Sequence, residues 1–176
     1  RATDLDSGYA LAHAGAARAY FSLGFNGDIT QPEARASALA ELHAAQRIDE
    51  NLAEVAATSA DIKFYYDWDW AGAESDYNRA LDLNPSLTYA RRSYAGYLAA
   101  VRRLDEALQQ SVVAESLDPL STKALVDHGM ILYYRRDYAA AREVVTRALQ
   151  LEPGSAQALV VLGRIDEAEG HFADAA

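Results

Sequence analysis

Three prolines at a constant interval constrain the fold of this chain more than any other sequence feature. They lie in the similar segments LDLNP, SLDPL and LQLEP, as Pro85, Pro119 and Pro153, each 34 residues from the next. A fixed period of this length indicates one supersecondary unit repeated along the chain. Alanine and leucine are abundant and β-branched residues do not cluster, which favours helix. We therefore predict one helix–turn–helix hairpin per period.

Other positions agree with the same register. With proline at position 32, the second to fourth repeats cover 54–87, 88–121 and 122–155, and a truncated fifth covers 156–176. Alanine recurs at position 20, where two helices are expected to cross, and a large residue recurs beside it at position 17. The alanines are Ala73, Ala107, Ala141 and Ala175, and the large residues are Trp70, Leu104, Tyr138 and Phe172.

A degenerate first repeat precedes these, at about 10–52. It contains the segment FNGDITQPE, which predicts a turn about nine residues longer than usual between its two helices. Within that segment, Pro32 followed by Glu33 suits the start of the second helix, because proline tolerates the first turn and the acid complements the helix dipole.

The register resembles the tetratricopeptide-repeat (TPR) family over nearly the whole chain. The resemblance implies an all-α fold, a right-handed α-solenoid of helix–turn–helix hairpins, in which 1–176 form a single solenoid domain. The order YYDWDWAGAE, RALDLNP, YAGYLAA, RLDEAL and LDPLS is also similar to the C-terminal arrays of bacterial multidomain regulators. Such arrays follow winged-helix transcriptional regulators, adenylate or guanylate cyclases, or serine/threonine kinases, which implies the regulatory part of a larger bacterial signalling or transcription protein.

Composition excludes several classes of function. The 16 basic and 26 acidic residues give a net charge of −10, which disfavours binding of nucleic acid through its phosphates. No apolar run reaches the roughly 18 residues that suggest a membrane span. Cysteine is absent, which excludes disulfides and favours a reducing, cytoplasmic location. Because the chain starts without methionine and stops within the repeat pattern, we expect it to be a segment of a longer protein.

Motifs for catalysis or metal binding are also missing from the sequence. The four histidines, His13, His43, His128 and His171, are widely separated, and neither HExxH nor a Gly-rich phosphate loop occurs. His128 falls at position 7, on the face that packs within the hairpin, which predicts a buried histidine satisfied by hydrogen bonds. Asp105 and Glu106 are expected to open a second helix rather than act as acid and base. We expect no enzymatic activity, no cofactor and no metal.

In the TPR family, the first helix of each hairpin lines a concave groove. Carried over to this sequence, that face predicts a site for a protein or peptide, or for another domain of the same chain. The tyrosines there suit peptide backbones, although they could also merely fill space between neighbouring first helices. The predicted groove residues are Ile62, Tyr65, Tyr66, Tyr89, Arg92, Gly96, Lys123, Met130, Tyr133, Tyr134 and Arg164.

Further expectations follow from the same register. The clamp that binds chaperone tails is not reproduced, since position 9 holds Ile62 and Gly96 instead of asparagine. Two arginine pairs end first helices and predict either dipole compensation or a ridge for an acidic partner; they are Arg102, Arg103, Arg135 and Arg136. A small-molecule sensor with a pocket near the third repeat is an alternative function. Self-association is another, with a homodimer through the truncated C-terminal end.

Two features of the second repeat stand apart. In YYDWDWAGAE, both tryptophans are predicted to be packing residues, with Trp70 in the core. Trp68 stands at the position that Gly24 and Gly170 occupy in the first and last repeats, so we expect this turn to avoid the left-handed backbone, with Asp67 or Asp69 capping the next helix. Asp61 occupies a position that normally holds a small residue, so either the hairpin splays locally or a cation reaches the carboxylate.

Overall fold

The chain is helical throughout the part that the structure describes. This computed structural model describes residues 8–170, in which nine α-helices follow one another and no strand occurs. In chain order they are α1 (Ala10–Asn26), α2 (Gln31–Ile48), α3 (Ala53–Ile62), α4 (Trp70–Leu83), α5 (Thr88–Ala100), α6 (Leu104–Leu117), α7 (Thr122–Tyr134), α8 (Tyr138–Leu151) and α9 (Ala156–Glu169). The predicted all-α class is confirmed.

The chain divides into two compact units, Arg1–Ala90 (unit 1) and Arg91–Ala176 (unit 2). In unit 1 the hairpin α1–α2 is followed by α3 and α4, and α3 packs on both helices of the hairpin. One core cluster joins these three helices, with Phe21, Leu42 and Ile62 among its buried members. Burying a Leu, Ile or Phe side chain contributes about 1.5–3 kcal/mol, so these few residues hold α3 against the first hairpin.

In unit 2, α7 packs against α6 and α8, and α9 packs against α7 and α8. The core cluster includes Leu125, Val145, Val161 and Ile165, which are 0–1% exposed. The approach of α7 to α8 is close: a Cβ atom on Gly129 would lie 2.4 Å from Val145 Cγ2. This crossing therefore requires glycine, as the small residues of the register predict.

The first hairpin differs from the expectation of a long turn. Helix α1 continues to Asn26 and α2 begins at Gln31, so only four residues connect them. The extra residues lengthen the two helices to 17 and 18 residues. The predicted helix start is confirmed, because Pro32 lies in the first turn of α2 and the Thr30 hydroxyl accepts a hydrogen bond from the Glu33 amide.

The turn inside each later hairpin needs one residue with a left-handed backbone. That residue stands at position 15 in the second to fifth repeats, with φ of 56° at Trp68, 67° at Arg102, 65° at Arg136 and 82° at Gly170. In the first hairpin, Gly27 has φ 84°. Only glycine adopts this conformation without steric cost, so three of these turns carry strained residues.

Candidate functional site

The segment YYDWDW forms the turn between α3 and α4 in unit 1. Its first part is a π-helical turn, Lys63–Asp67, and Trp68 follows with a left-handed backbone. Asp69 then caps α4 by accepting a hydrogen bond from the Gly72 amide at 3.0 Å. The predicted aspartate cap is confirmed, whereas the expectation that this turn avoids the left-handed backbone is wrong, because the repeat geometry imposes that conformation whichever residue stands there.

Four exposed aromatic side chains surround this turn, and we call them the aromatic edge: Phe25, Tyr65, Trp68 and Trp70. Trp68 is 70% and Phe25 58% exposed. The rings form an unbroken series of contacts, with centroids 5.2 Å apart for Phe25–Tyr65 and 6.3 Å for Trp68–Trp70. Phe64 lies between these pairs, 4.4 Å from Tyr65 and 5.4 Å from Trp70. Such distances are typical of interacting rings.

The prediction that both tryptophans are packing residues is therefore wrong for Trp68. Trp70 contacts Phe64 edge-on but keeps 37% exposure, so it lies at the margin of the core rather than inside it. The physical reason is the position of Trp68 at the apex of a turn, where no neighbouring helix covers the indole. Sequence reasoning overlooked Phe25 and Phe64; the spacing of Phe21 and Phe25, four apart on one helix, was the available signal.

The other predicted groove residues of unit 1 are less accessible. Ile62 is 1% exposed and belongs to the core, so it has no surface for a partner. Tyr66 is half-buried against the same core and donates a hydrogen bond from its hydroxyl to the Phe21 carbonyl oxygen at 3.1 Å. Burial raises the pKa of this phenol. The space-filling alternative thus describes Tyr66, whereas Ile62 is a core residue and Tyr65 remains on the surface.

Asp61 is buried, and tyrosine hydroxyls donate hydrogen bonds to its carboxylate. Its carboxylate is 1% exposed and accepts hydrogen bonds from the hydroxyls of Tyr77, at 2.6 Å, and Tyr89. Burial is the main cause, and the Asp61 charge a further one, of pKa values well above the ordinary range for both phenols. The guanidinium of Arg18 lies 5.0 Å from the centroid of the Tyr89 ring. Tyr89, a predicted groove residue, therefore has a structural partner.

Unit 2 has a second surface of predicted groove residues. Lys123, Tyr134 and Arg164 are exposed, and Met130 and Tyr133 are half-buried. The Arg164 guanidinium lies 3.8 Å from the Met130 sulfur, which joins α9 to α7. The remaining two residues are less available, since Gly96 is half-buried and Arg92 forms an ion pair with Asp127 at 2.6 Å.

The arginine pairs lie in the turns that follow the first helices, and two members have carboxylate partners. Arg103 pairs with Glu106 at 2.6 Å, and Arg135 pairs with Asp105. Asp105 and Glu106 do open α6, as predicted. Arg102 and Arg136 are exposed and have the left-handed backbone. Half of the predicted ridge is therefore already neutralised by acids of this chain.

His128 and Glu115 belong to a polar cluster with a structural role. His128 is 9% exposed and its Nδ1 is hydrogen-bonded to Glu115, which also pairs with Arg147 at 2.7 Å, so the predicted buried and satisfied histidine is confirmed. Burial alone would raise the pKa of the Glu115 carboxyl. The hydrogen bonds from His128 and Arg147 outweigh burial, so the pKa of Glu115 is lowered. Within residues 8–170, no group of three or more His, Cys, Asp or Glu side chains could hold a metal ion.

A basic surface depression in unit 1 was not predicted. It has a volume of about 490 Å³ and is lined by His43, Gln46, Arg47, Glu50 and Arg79.

Among the helices that the structure describes, none combines the length and apolar character that crossing a bilayer would need.

By sequence, no protein-family model and no curated protein matches this chain. Solved structures do match its fold. PilF of Pseudomonas aeruginosa is similar with a TM-score of 0.69 and 22% identity, over 93% of this chain and 73% of that one. The first TPR domain of Spaghetti (RPAP3), bound to the HSP90 peptide SRMEEVD, is similar with a TM-score of 0.62 and 21% identity, over 69% and 96%. The TPR domain of Arabidopsis OM64 gives 0.60 and 23%, over 66% and 95%.

These likenesses establish the fold class. The chain is an all-α solenoid of TPR-type helical hairpins, which confirms the expectation drawn from the 34-residue period. The identities of 21–23% are too low to carry more than the fold. Function has to be argued from the site, because one fold serves many functions.

Proposed function

We propose that this chain is a protein-interaction module that binds a segment of a partner protein on the aromatic edge of unit 1. The exposure of Phe25, Tyr65, Trp68 and Trp70 around one turn, with their rings linked through buried Phe64, is the observation that carries this proposal. Soluble domains seldom leave a large aromatic patch in water unless it binds something. Trp and Tyr are also the residues that most often dominate binding energy at protein interfaces.

The chemistry of the edge favours a partner segment that combines apolar anchors with cationic residues. Asp67 and Asp69 flank Trp68, and the whole chain carries a net charge of −10. Lysine or arginine side chains are bound favourably when they stack on exposed indole faces and lie near carboxylates. The ion pair of Asp67 with Arg35, at 2.6 Å, lies on the surface, where such pairs contribute little and can exchange partners.

The groove residues on unit 2 provide a second contact surface, through their tyrosines rather than through their cations Lys123 and Arg164. Tyr134 is 42% exposed and lies near half-buried Tyr133, with ring centroids 5.8 Å apart. A tyrosine surface binds extended peptide through its flat rings and hydroxyls. The similar Spaghetti domain binds an acidic HSP90 peptide. Here the net charge and the absence of asparagine at position 9 favour a different, cationic segment.

The experiment uses the intrinsic fluorescence of the chain, since Trp68 and Trp70 are its two tryptophans. Peptides selected from a random display library against the 176-residue chain should shift the tryptophan emission on binding. We expect Trp68→Ala to lower the affinity for these peptides by about tenfold or more, as for a central interface residue. Leu120→Ala is the matched control, because Leu120 is 75% exposed but lies in a turn of unit 2. Peptides that bind without changing the emission, and equally well to Trp68→Ala, would refute the assignment.

The wider setting is also part of the proposal. The similarity of the repeat motifs to the C-terminal arrays of bacterial regulators supports a place in a larger signalling or transcription protein, with a neighbouring domain as a candidate partner. The parent sequence on the N-terminal side of Arg1 tests this directly. A winged-helix, cyclase or kinase domain there is expected, and an unrelated membrane or secreted domain would contradict it.

A further inference from the structure

The basic depression of unit 1 shares no lining residue with the aromatic edge and has its own chemistry. His43, Gln46 and Arg47 come from one helix, α2, with Arg47 one helical turn after His43. Arg79 comes from α4, so the depression is formed by the second helices of two successive hairpins. These second helices thus present three cationic or potentially cationic side chains around about 490 Å³.

Within the described residues, no acidic side chain is paired with the cations of this depression. Among the ion pairs shown within residues 8–170, none involves His43, Arg47, Arg79 or Glu50. Arg79 Nη2 instead donates to the Glu50 main-chain oxygen at 2.8 Å, which orients the guanidinium and leaves its charge uncompensated. Even with the exposed Glu50 carboxylate included, two arginines leave the lining positive before any contribution from His43.

The equivalent place in unit 2 shows what a purely structural arginine looks like. Arg147 stands 68 residues after Arg79, which is two repeat lengths, and so has the same repeat position. Its guanidinium is paired with the Glu115 carboxylate at 2.7 Å. The register therefore does not require an unpaired arginine at this repeat position.

We propose that the depression lined by His43, Arg47 and Arg79 binds a phosphate group. Two guanidinium forks and an imidazole provide more donors than the two oxygens of a single carboxylate can accept, whereas a phosphate dianion offers three oxygens and two negative charges. Arginine is the residue best suited to such bidentate contacts. The site is distinct from the proposed peptide surface, and its ligand is a phosphate monoester, carried either by a modified protein side chain or by a free nucleotide.

The test is a titration of the 176-residue chain with inorganic phosphate, at constant ionic strength, followed by NMR of the arginine Nε–Hε signals. We expect saturable shifts of Arg47 and Arg79, and about a fivefold or greater loss of affinity in Arg79→Gln and in Arg47→Gln. Arg147→Gln makes the same chemical change at the matching repeat position, and this variant should bind phosphate as tightly as the unsubstituted 176-residue chain does. Circular dichroism confirms that each variant keeps its helicity.

Further ligands identify the source of the phosphate. Phosphoserine binding more tightly than inorganic phosphate points to a modified protein partner, and adenosine monophosphate binding more tightly points to a nucleotide; either result supports the site. Acetate binding as tightly as phosphate would overturn the assignment, because a carboxylate would then suffice. Equal loss of affinity in Arg147→Gln, or shifts that never saturate, would show non-specific attraction and likewise overturn it.

Discussion

Asp61 shows how a single buried residue sets the energetics of the second hairpin. A carboxylate that is 1% exposed is tolerable only when its oxygens are hydrogen-bonded, and Tyr77 and Tyr89 donate to it. Tyr77 and Asp61 of the second repeat occupy the same repeat positions as Val145 and Gly129 of the fourth, which lie 68 residues further along. A close apolar contact in one hairpin is thus replaced by a polar cluster in another.

We predict that Tyr77→Phe lowers the free energy of unfolding by about 1.5–3 kcal/mol at neutral pH, because a buried charged acceptor loses a donor. The raised pKa of Tyr77 and Tyr89 adds a pH dependence. Each phenol binds its proton more tightly in the folded state, so its full contribution to the free energy of unfolding is present below about pH 10. This contribution is lost as the pH rises further, by up to about 1.4 kcal/mol per pH unit for each tyrosine. Urea unfolding between neutral pH and pH 11 measures both effects.

The control is Tyr134→Phe, which removes a hydroxyl from an exposed ring and should change the stability by less than about 0.5 kcal/mol. The double variant Tyr77→Phe/Tyr89→Phe should also show a shallower alkaline fall than the parent. An equally steep fall in the double variant would mean that other groups cause the alkaline loss of stability.

At the scale of the element, the turns of the hairpins carry a recurring strain. Position 15 adopts the left-handed backbone in four successive repeats, and arginine occupies it twice, as Arg102 and Arg136. For a residue with a Cβ atom this conformation costs about 1–2 kcal/mol. Both arginines are exposed, so nothing in the packing of unit 2 requires their side chains.

We predict that Arg136→Gly raises the free energy of unfolding by about 0.5–1 kcal/mol, because glycine relieves the strain but loses more backbone entropy on folding. Thermal and urea unfolding measure the change. Arg136→Ala is the control: it removes the same side chain but keeps the Cβ atom, so it should bring no gain. Equal stabilisation by both variants would assign the effect to charge instead of backbone strain.

The repeat register predicted these elements well. Helices α4, α6 and α8 all begin at position 17, with Trp70, Leu104 and Tyr138, and α5 and α7 begin at position 1. Periodic apolar positions and prolines determine such boundaries locally, so they can be read from one sequence. The structure of the FNGDITQPE segment could not be read in this way. Its turn-forming residues are compatible both with a long loop and with a four-residue connection between longer helices.

The candidate site was predictable only in part, for a related reason. Tyr65, Tyr134 and Arg164 lie on the surface, as the family positions imply, but Ile62 is buried because the neighbouring hairpin covers it. Phe25 joins Tyr65 across 40 residues of sequence, and Arg79 joins Arg47 across 32. Contacts between successive repeats depend on how the hairpins stack, which a helical pattern within one repeat does not encode.

At the scale of the whole molecule, a repeat protein distributes its stability in nearest-neighbour contacts, so damage in one unit should stay largely in that unit. Gly129 offers a sharp way to test this, since a Cβ atom there would overlap Val145. We predict that Gly129→Ala destabilises the α7–α8 contact by about 1–3 kcal/mol through overpacking. Hydrogen exchange should then accelerate for the amides of α7 and α8, while the amides of α1 and α2 in unit 1 keep their protection.

The matched control lies in the same unit. Gly154→Ala adds the same methyl group where no atom lies within 4 Å, so the exchange pattern should match that of the parent. Tyr77→Phe supplies the reciprocal case, because it weakens α3 and α4 in unit 1 and should leave α7 and α8 protected. If Gly129→Ala instead lowered protection evenly from α1 to α9, the chain would unfold as one cooperative body. Local nearest-neighbour stability would then be the wrong description of this solenoid.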